Sequence, residues 1–207
     1  MIYDTIVSQL IGQGGEDMYH IKPDKRSQKS AALICDALFA CLKEKPFQEI
    51  TITDIQRTSF VSRATFYRHF DELADVLSYY CHQRFREAFS AYDPPEADEG
   101  EALYHFSQYL LTYWLDHSDI LELLLSLNRI DIIYDCHLHY FELLLEKQAP
   151  GLTFSPEAYA YLTGIRSGIM VGVLLAWLRG GKKQSAEEVF AILRAQFEFL
   201  RTSETFI

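Results

Sequence analysis

The amino-acid sequence predicts an all-α protein, a small three-helix N-terminal domain followed by a larger helical one. Three observations predict it. Apolar residues recur at three- and four-residue spacing along most of the chain. No strand-type alternation is sustained, and helix breakers gather between the periodic runs, at Pro46, Pro94–Pro95, Pro150–Gly151 and Gly180–Gly181. At 207 residues and 49% hydrophobic, the chain is long enough for one small and one larger core and too apolar to stay disordered.

Residues 1–24 read as an arm: a brief amphipathic run, Ile2 to Ile11, then Gly12-Gln13-Gly14-Gly15. The first domain is expected over 25–92. Its opening helix, Lys25 to Lys43, carries Ala32, Leu33, Leu38, Phe39 and Leu42 at helical spacing and stops before Pro46. The stretch Thr51 to Asp71, TITDIQRTSFVSRATFYRHFD, then predicts two short helices joined by a tight turn. Ile55 faces inward, Thr51 or Thr53 offers an N-cap oxygen, Phe60-Val61 turns the chain, and Ser62 caps a helix from Arg63 to Phe70 that buries Phe66 and Phe70.

The other side of that helix carries Arg63, Ala64, Thr65, Tyr67, Arg68 and His69. These types suit a helix laid in the major groove of double-stranded DNA: Arg takes guanine in bidentate fashion, Ala and Thr meet a thymine methyl, and Thr, Tyr and His bond phosphate oxygens. Thr51, Thr53 and Ser62 complete the candidate DNA contacts, and Lys25, Arg26 and Lys29 start the first helix where they can approach the backbone. The overall charge of −10 speaks against nucleic acid only until it is divided. Residues 25–86 hold 10 Lys+Arg against 7 Asp+Glu, a net of +3, while 87–207 hold 8 against 18, a net of −10. With a screening length of roughly 8 Å in physiological salt, phosphate feels the local sign.

A fourth helix is expected from a cap at Asp71 through Leu77, Phe85 and Phe89 to Tyr92, and the acidic, Pro-rich Asp93 to Gly100 marks the boundary of a second domain over 93–207. Helices there are expected at about 101–116, 118–128, 130–147, 156–179 and 185–202. In the fourth of these, Gly164, Gly168, Gly172 and Ala176 recur every four residues beside Ile165, Ile169, Val173 and Trp177. Such a stripe lets another backbone approach closely, and each interior Gly costs about 1 kcal/mol relative to Ala, which some contact must offset. Either the chain packs on itself there, or the stripe is a homodimer seam shared with Val189, Ile192, Leu193, Gln196, Phe197 and Leu200 of the last helix.

No chemistry is expected. There is no phosphate loop, no Gly-x-Ser-x-Gly and no Cys or Ser with an evident base, so an enzyme reading has no positive support, and no cofactor is implied. Asp131, Asp135 and His139, four apart on one helix, are read as a polar face and not a metal site. The four cysteines form no C-x-x-C pair and read as buried thiols of a reducing cytoplasm. The longest apolar run, Ile169 to Leu178, is about half what a bilayer needs, and residues 1–20 lack a secretory pattern, so a cytoplasmic protein without a membrane span is expected. Aromatics are dense in the second half, and Tyr109, Tyr113, Trp114 and Tyr140 are candidates to line a cavity for a small-molecule effector.

The segment Lys29 to Leu77 resembles the N-terminal domain of TetR-family transcriptional regulators. The resemblance rests on Thr51, Ile55, Val61, Ser62, Thr65, Phe66, Tyr67, His69 and Phe70, with Thr-Phe-Tyr-x-His-Phe intact, and covers about a quarter of the chain. Lys45-Pro-Phe-Gln-Glu-Ile-Thr-Ile-Thr-Asp-Ile55 is similar to the form the motif takes in a subgroup common in Firmicutes. The family implies a homodimer joined through its last two helices, an operator of inverted repeats and release by a small organic ligand. Two positions depart from the pattern. The family usually has Gly before the turn Val, where positive φ is favoured; Phe60 there implies strain of about 1 kcal/mol or an altered turn. A Lys that reaches phosphate in the family is replaced by Leu73. The expected function is therefore a DNA-binding regulator, a repressor; the alternative is a TetR-like module that binds ligand or protein and has lost ordinary operator binding.

Overall fold

In the computed structural model the described residues are 21, 24–93, 99–148 and 155–202, and among them the chain is all helix with no strand. The predicted arm, the Pro94–Pro95 segment and the Pro150–Gly151 break lie almost wholly outside them. The helices are α1 (Lys25–Leu42), α2 (Ile52–Ser59), α3 (Arg63–His69), α4 (Leu73–Ala91), α5 (Glu99–Asp116), α6 (Ser118–Ser126), α7 (Ile130–Gln148), α8 (Pro156–Arg179) and α9 (Ala186–Thr202), with a 3₁₀ turn at Phe47–Glu49.

Two compact units emerge. One holds the described residues within 1–90 and 131–153, the other those within 91–130 and 154–207. Contacts thus place nearly all of α7 with the first unit, although the linker composition set a boundary at 93. The reason is aromatic packing: the Tyr140 ring of α7 stacks on Phe85 at 4.9 Å and Phe89 at 5.3 Å, and its hydroxyl donates to the His82 carbonyl at 3.1 Å.

In the first unit α1 starts at Asp24, whose carboxylate accepts from the backbone N–H of Arg26 and Ser27. Its buried stripe is Ala31, Ile34, Cys35, Leu38 and Cys41, a rotation away from the stripe expected through Ala32 and Leu33, which are exposed. Alternative faces of an alanine-rich helix are nearly equal in apolarity, so what packs against the helix decides between them. Against it lie α2, through Ile55, and α3, through Phe66, both about 1% exposed. Within α4 and α7 the core continues through Val76, Leu77, Cys81, Phe85, Ile133 and Cys136. All four cysteines are free and buried.

The second unit packs α5 against α6, α8 and α9. Trp114 and Leu124 are fully buried and Leu174 and Trp177 nearly so, and the Trp177 indole N–H donates to the Gln184 carbonyl at 2.9 Å, tying the end of α8 to the loop before α9. That loop turns through Gly181 and Lys182, both at positive φ, and Lys182 pairs with Glu122 of α6 at 2.5 Å. Counting only uninterrupted apolar residues understates α8: residues Glu157–Arg179 are long and apolar enough to cross a membrane by length and composition, with a mean hydropathy of 1.5 over a window only 33% buried. A helix kept apolar for packing in water passes the same test.

Candidate functional site

The site is built on α2, the turn and α3. Thr51 caps α2 in a reciprocal box: its hydroxyl accepts from the Asp54 N–H, and the Asp54 carboxylate accepts from the Thr51 N–H at 2.9 Å and hydroxyl at 2.6 Å. Lys45 reaches the same carboxylate at 2.6 Å and Arg57 at 3.1 Å. Lys45 first, then the hydroxyl and N–H of Thr51, hold the Asp54 carboxyl well below the usual carboxylate range. The knot fastens the start of α2 to the segment following α1.

The turn is where sequence and structure meet most sharply. Phe60 caps α2 at φ 58 and ψ 14, in the left-handed region, so the chain keeps the tight turn and accepts the strain. Ser59 assists: its hydroxyl donates to the Ile55 carbonyl at 2.7 Å and accepts from the Val61 N–H at 3.0 Å. Ser62 then caps α3 by accepting from the Thr65 N–H at 3.2 Å.

On α3 the inward side is Phe66, followed by Phe70 just past the helix end, rings 5.9 Å apart. Arg63, Ala64, Tyr67 and Arg68 are exposed, as are Thr51, Thr53 and Ser62, while Thr65 is half-buried. Arg63 lies over the Tyr67 ring, 5.6 Å from its centre, and a guanidinium N–H donates to the Tyr67 hydroxyl at 3.3 Å. His69 departs from the expectation. It is 3% exposed, because three residues beyond Phe66 it falls on the inward face, and it is no surface donor. Between α3 and the start of α1 runs a cleft of about 380 Å³ lined by Arg26, Ser30, Thr65, Arg68 and His69 with Asp24 and Ser27. Of the three basic residues expected near the backbone at the start of α1, Arg26 is the one that borders this cleft.

No protein-family model matches the sequence, and no curated protein matches it. Among solved structures the chain is similar to the crystal structure of Lin0861 from Listeria innocua, with a TM-score of 0.70 and 15% identity over 86% of this chain and 94% of that one. The likeness is one of fold.

In the second unit, a β-carbon added at Gly168 or Gly172 would meet nothing within 4 Å, so the small-residue stripe is not filled by the chain's own packing there. The exposed line along α8 runs Tyr161, Ile165, Gly168, Gly172 and Ala176, with Tyr161 74% and Ile165 59% exposed and no charge among them; Gly164 is half-buried beside it. On α9, Phe197 and Ile192 are exposed and Leu193 is half-buried, but Val189, expected at the seam, is buried within the chain. Its register points it at the core, one helical step from Ile192.

The four aromatics expected to line a ligand cavity divide. Tyr140 and Trp114 are buried and belong to core packing. Tyr109 and Tyr113 are half-buried; Tyr113 stacks on the His117 ring at 4.2 Å. A groove of about 580 Å³ between α5 and α9 has other walls, Tyr104, Gln108, Phe190, Arg194, Glu187 and Glu198. Periodicity gave no signal for it, since its walls come from two helices far apart in the chain. Among the described residues no His, Cys, Asp and Glu group is placed to hold a metal ion.

Proposed function

We propose that this chain is a cytoplasmic transcriptional regulator of the TetR type, a homodimeric repressor that binds a palindromic operator in double-stranded DNA and leaves it when a small organic effector occupies the second unit. The observation that carries the reading is the division of α3: Phe66 anchors it to the core while Arg63, Ala64, Tyr67 and Arg68 stand on its open side. Exposed arginines can read guanine, and Ala64 leaves room for the helix to sit deep in the groove. The open apolar line on α8, with Ile192 and Phe197 on α9, supports pairing of two subunits, which would carry two recognition helices to half-sites about 34 Å apart or a multiple of that. An effector would act by preferring the subunit arrangement in which those helices are wrongly spaced, lowering operator affinity by its differential affinity for that arrangement.

The test is a gel-shift series with the protein's own upstream DNA at rising salt. Sequence-selective binding that weakens steeply with salt is expected. Binding that shows no selectivity at any salt would overturn the reading. Leu73, half-buried where a cation would reach phosphate, favours a second reading, a ligand- or protein-binding module without an operator. Under it, replacing Tyr67 and Arg68 by Ala leaves DNA binding unchanged.

A further inference from the structure

We propose that Phe60 is a specificity-determining contact whose ring meets the C5-methyl of a thymine at the edge of each operator half-site. The inference rests on the DNA-binding reading and adds to it a residue that the pattern of polar donors leaves out.

Two independent observations converge on Phe60. Its side chain is 93% exposed, so it contributes next to nothing to the core. A lone exposed apolar residue is ordinary. This one also holds the backbone in the left-handed region, φ 58, where a side chain bearing a β-carbon is disfavoured and Gly or Asn would sit without penalty. In the free protein the ring therefore costs conformational energy and returns no burial. The gain must come from something bound.

The surroundings name the kind of partner. The turn is held firmly, by the Phe60 N–H donating to the Gln56 carbonyl at 3.0 Å and by the Ser59 hydroxyl on the Val61 N–H, so the ring is carried on a fixed platform. Arg57, exposed on the preceding helix though held to Asp54, comes three residues before it in the chain, and exposed Arg63 comes three residues after. An exposed apolar ring in a turn whose neighbouring segments carry exposed arginines complements a polyanion that presents an apolar group, and the major-groove edge of DNA presents one such group, the thymine methyl. Phe60 stands in the turn before α3, two residues ahead of its cap Ser62, at the end from which a recognition helix is entered, so its reach is to the base pairs flanking those read by Arg63 and Tyr67.

The experiment uses the full-length protein and a duplex that it selects from a random-sequence pool. Each thymine of that duplex is replaced in turn by uracil, which removes only the methyl. The wild type is expected to lose about fourfold in affinity per half-site at one symmetry-related pair of thymines, the loss that removing one buried methyl group produces. Phe60→Asn, which tolerates the left-handed region, is expected to unfold at no lower temperature than the wild type, to bind the thymine duplex more weakly by at least that factor, and to be indifferent to uracil at the same pair. If the variant binds as tightly as the wild type and keeps its uracil sensitivity, Phe60 is not a contact, while the DNA-binding reading stands. If its affinity loss is accompanied by anionic-vesicle binding that depends on Phe60 and by no uracil effect, the ring serves a lipid surface and the proposal is overturned. If the wild type selects no duplex at all, the DNA-binding reading falls and this inference with it.

Discussion

Acid should weaken this fold before its ordinary carboxylates titrate, and the structure allows the effect to be sized. His82 and His137 are buried on α4 and α7, and burial pushes both imidazoles down to about 3, assisted at His82 by His139 and Arg86. Both rings are built into the aromatic core: His137 meets Phe85 edge-on at 4.7 Å and stacks on Phe141 at 5.8 Å. A histidine whose folded value lies below its unfolded one adds no stability above about pH 6.5, where both states are neutral. As pH falls from there toward 3, the unfolded chain takes up protons that the folded one refuses, and stability drops. At pH 5 the loss is about 2 kcal/mol for each histidine, so about 4 kcal/mol for the pair, against a total stability of roughly 5–15 kcal/mol for a typical domain. Asp135, whose carboxyl is raised by burial and by Asp131, works in the opposite direction and offsets part of this. Urea unfolding at pH 7.5, 6.5, 5.5 and 5.0 measures the slope, and His137→Phe, which keeps an aromatic in the stack, should remove about half of it. Stability unchanged between pH 7.5 and 5.0 would refute the assignment of both rings as buried and neutral.

The remaining expectations concern the site and the seam. Ala at Arg68 or at Tyr67 should weaken operator binding by about 1–3 kcal/mol each, read by fluorescence anisotropy with selected DNA, and should leave the unfolding midpoint nearly unmoved because both side chains are exposed. Ser62→Ala removes the α3 cap and should lower stability by about 1 kcal/mol, measurable as a shift in the urea midpoint. Gly168→Ala meets nothing within the chain and should raise the stability of a dilute sample by roughly 0.5–1 kcal/mol through helix propensity. Sedimentation at increasing concentration should show the same variant associating more weakly; association unchanged would remove the stripe from the seam.

Much of the helical layout was readable from periodicity and punctuation. The Arg63 to Phe70 segment reads directly, because a capping Ser62 and two phenylalanines four apart leave little choice of face. His69 does not read correctly, since a polar residue at the end of a helix can face either way and only the packing around Phe66 draws it inward. The aromatics show the same division. Tyr140 and Tyr113 are equally plausible cavity walls on paper, yet one spends its ring on Phe85 and Phe89 while the other stays half-buried.

The sequence by itself determined the helices, their breaks, the basic character of residues 25–86 and the presence of a small-residue line on α8, because these follow from local propensity, spacing and charge. The tertiary structure decided which of those faces are already occupied. It turned α1 onto Ala31, Ile34 and Leu38, drew α7 to the first unit through Tyr140, left Gly168 and Gly172 facing open space, and held Phe60 in a conformation its own side chain disfavours. The physical reason is that a periodic pattern records how much apolar surface a helix must cover, while the partner that covers it is chosen by contacts between segments far apart in the chain.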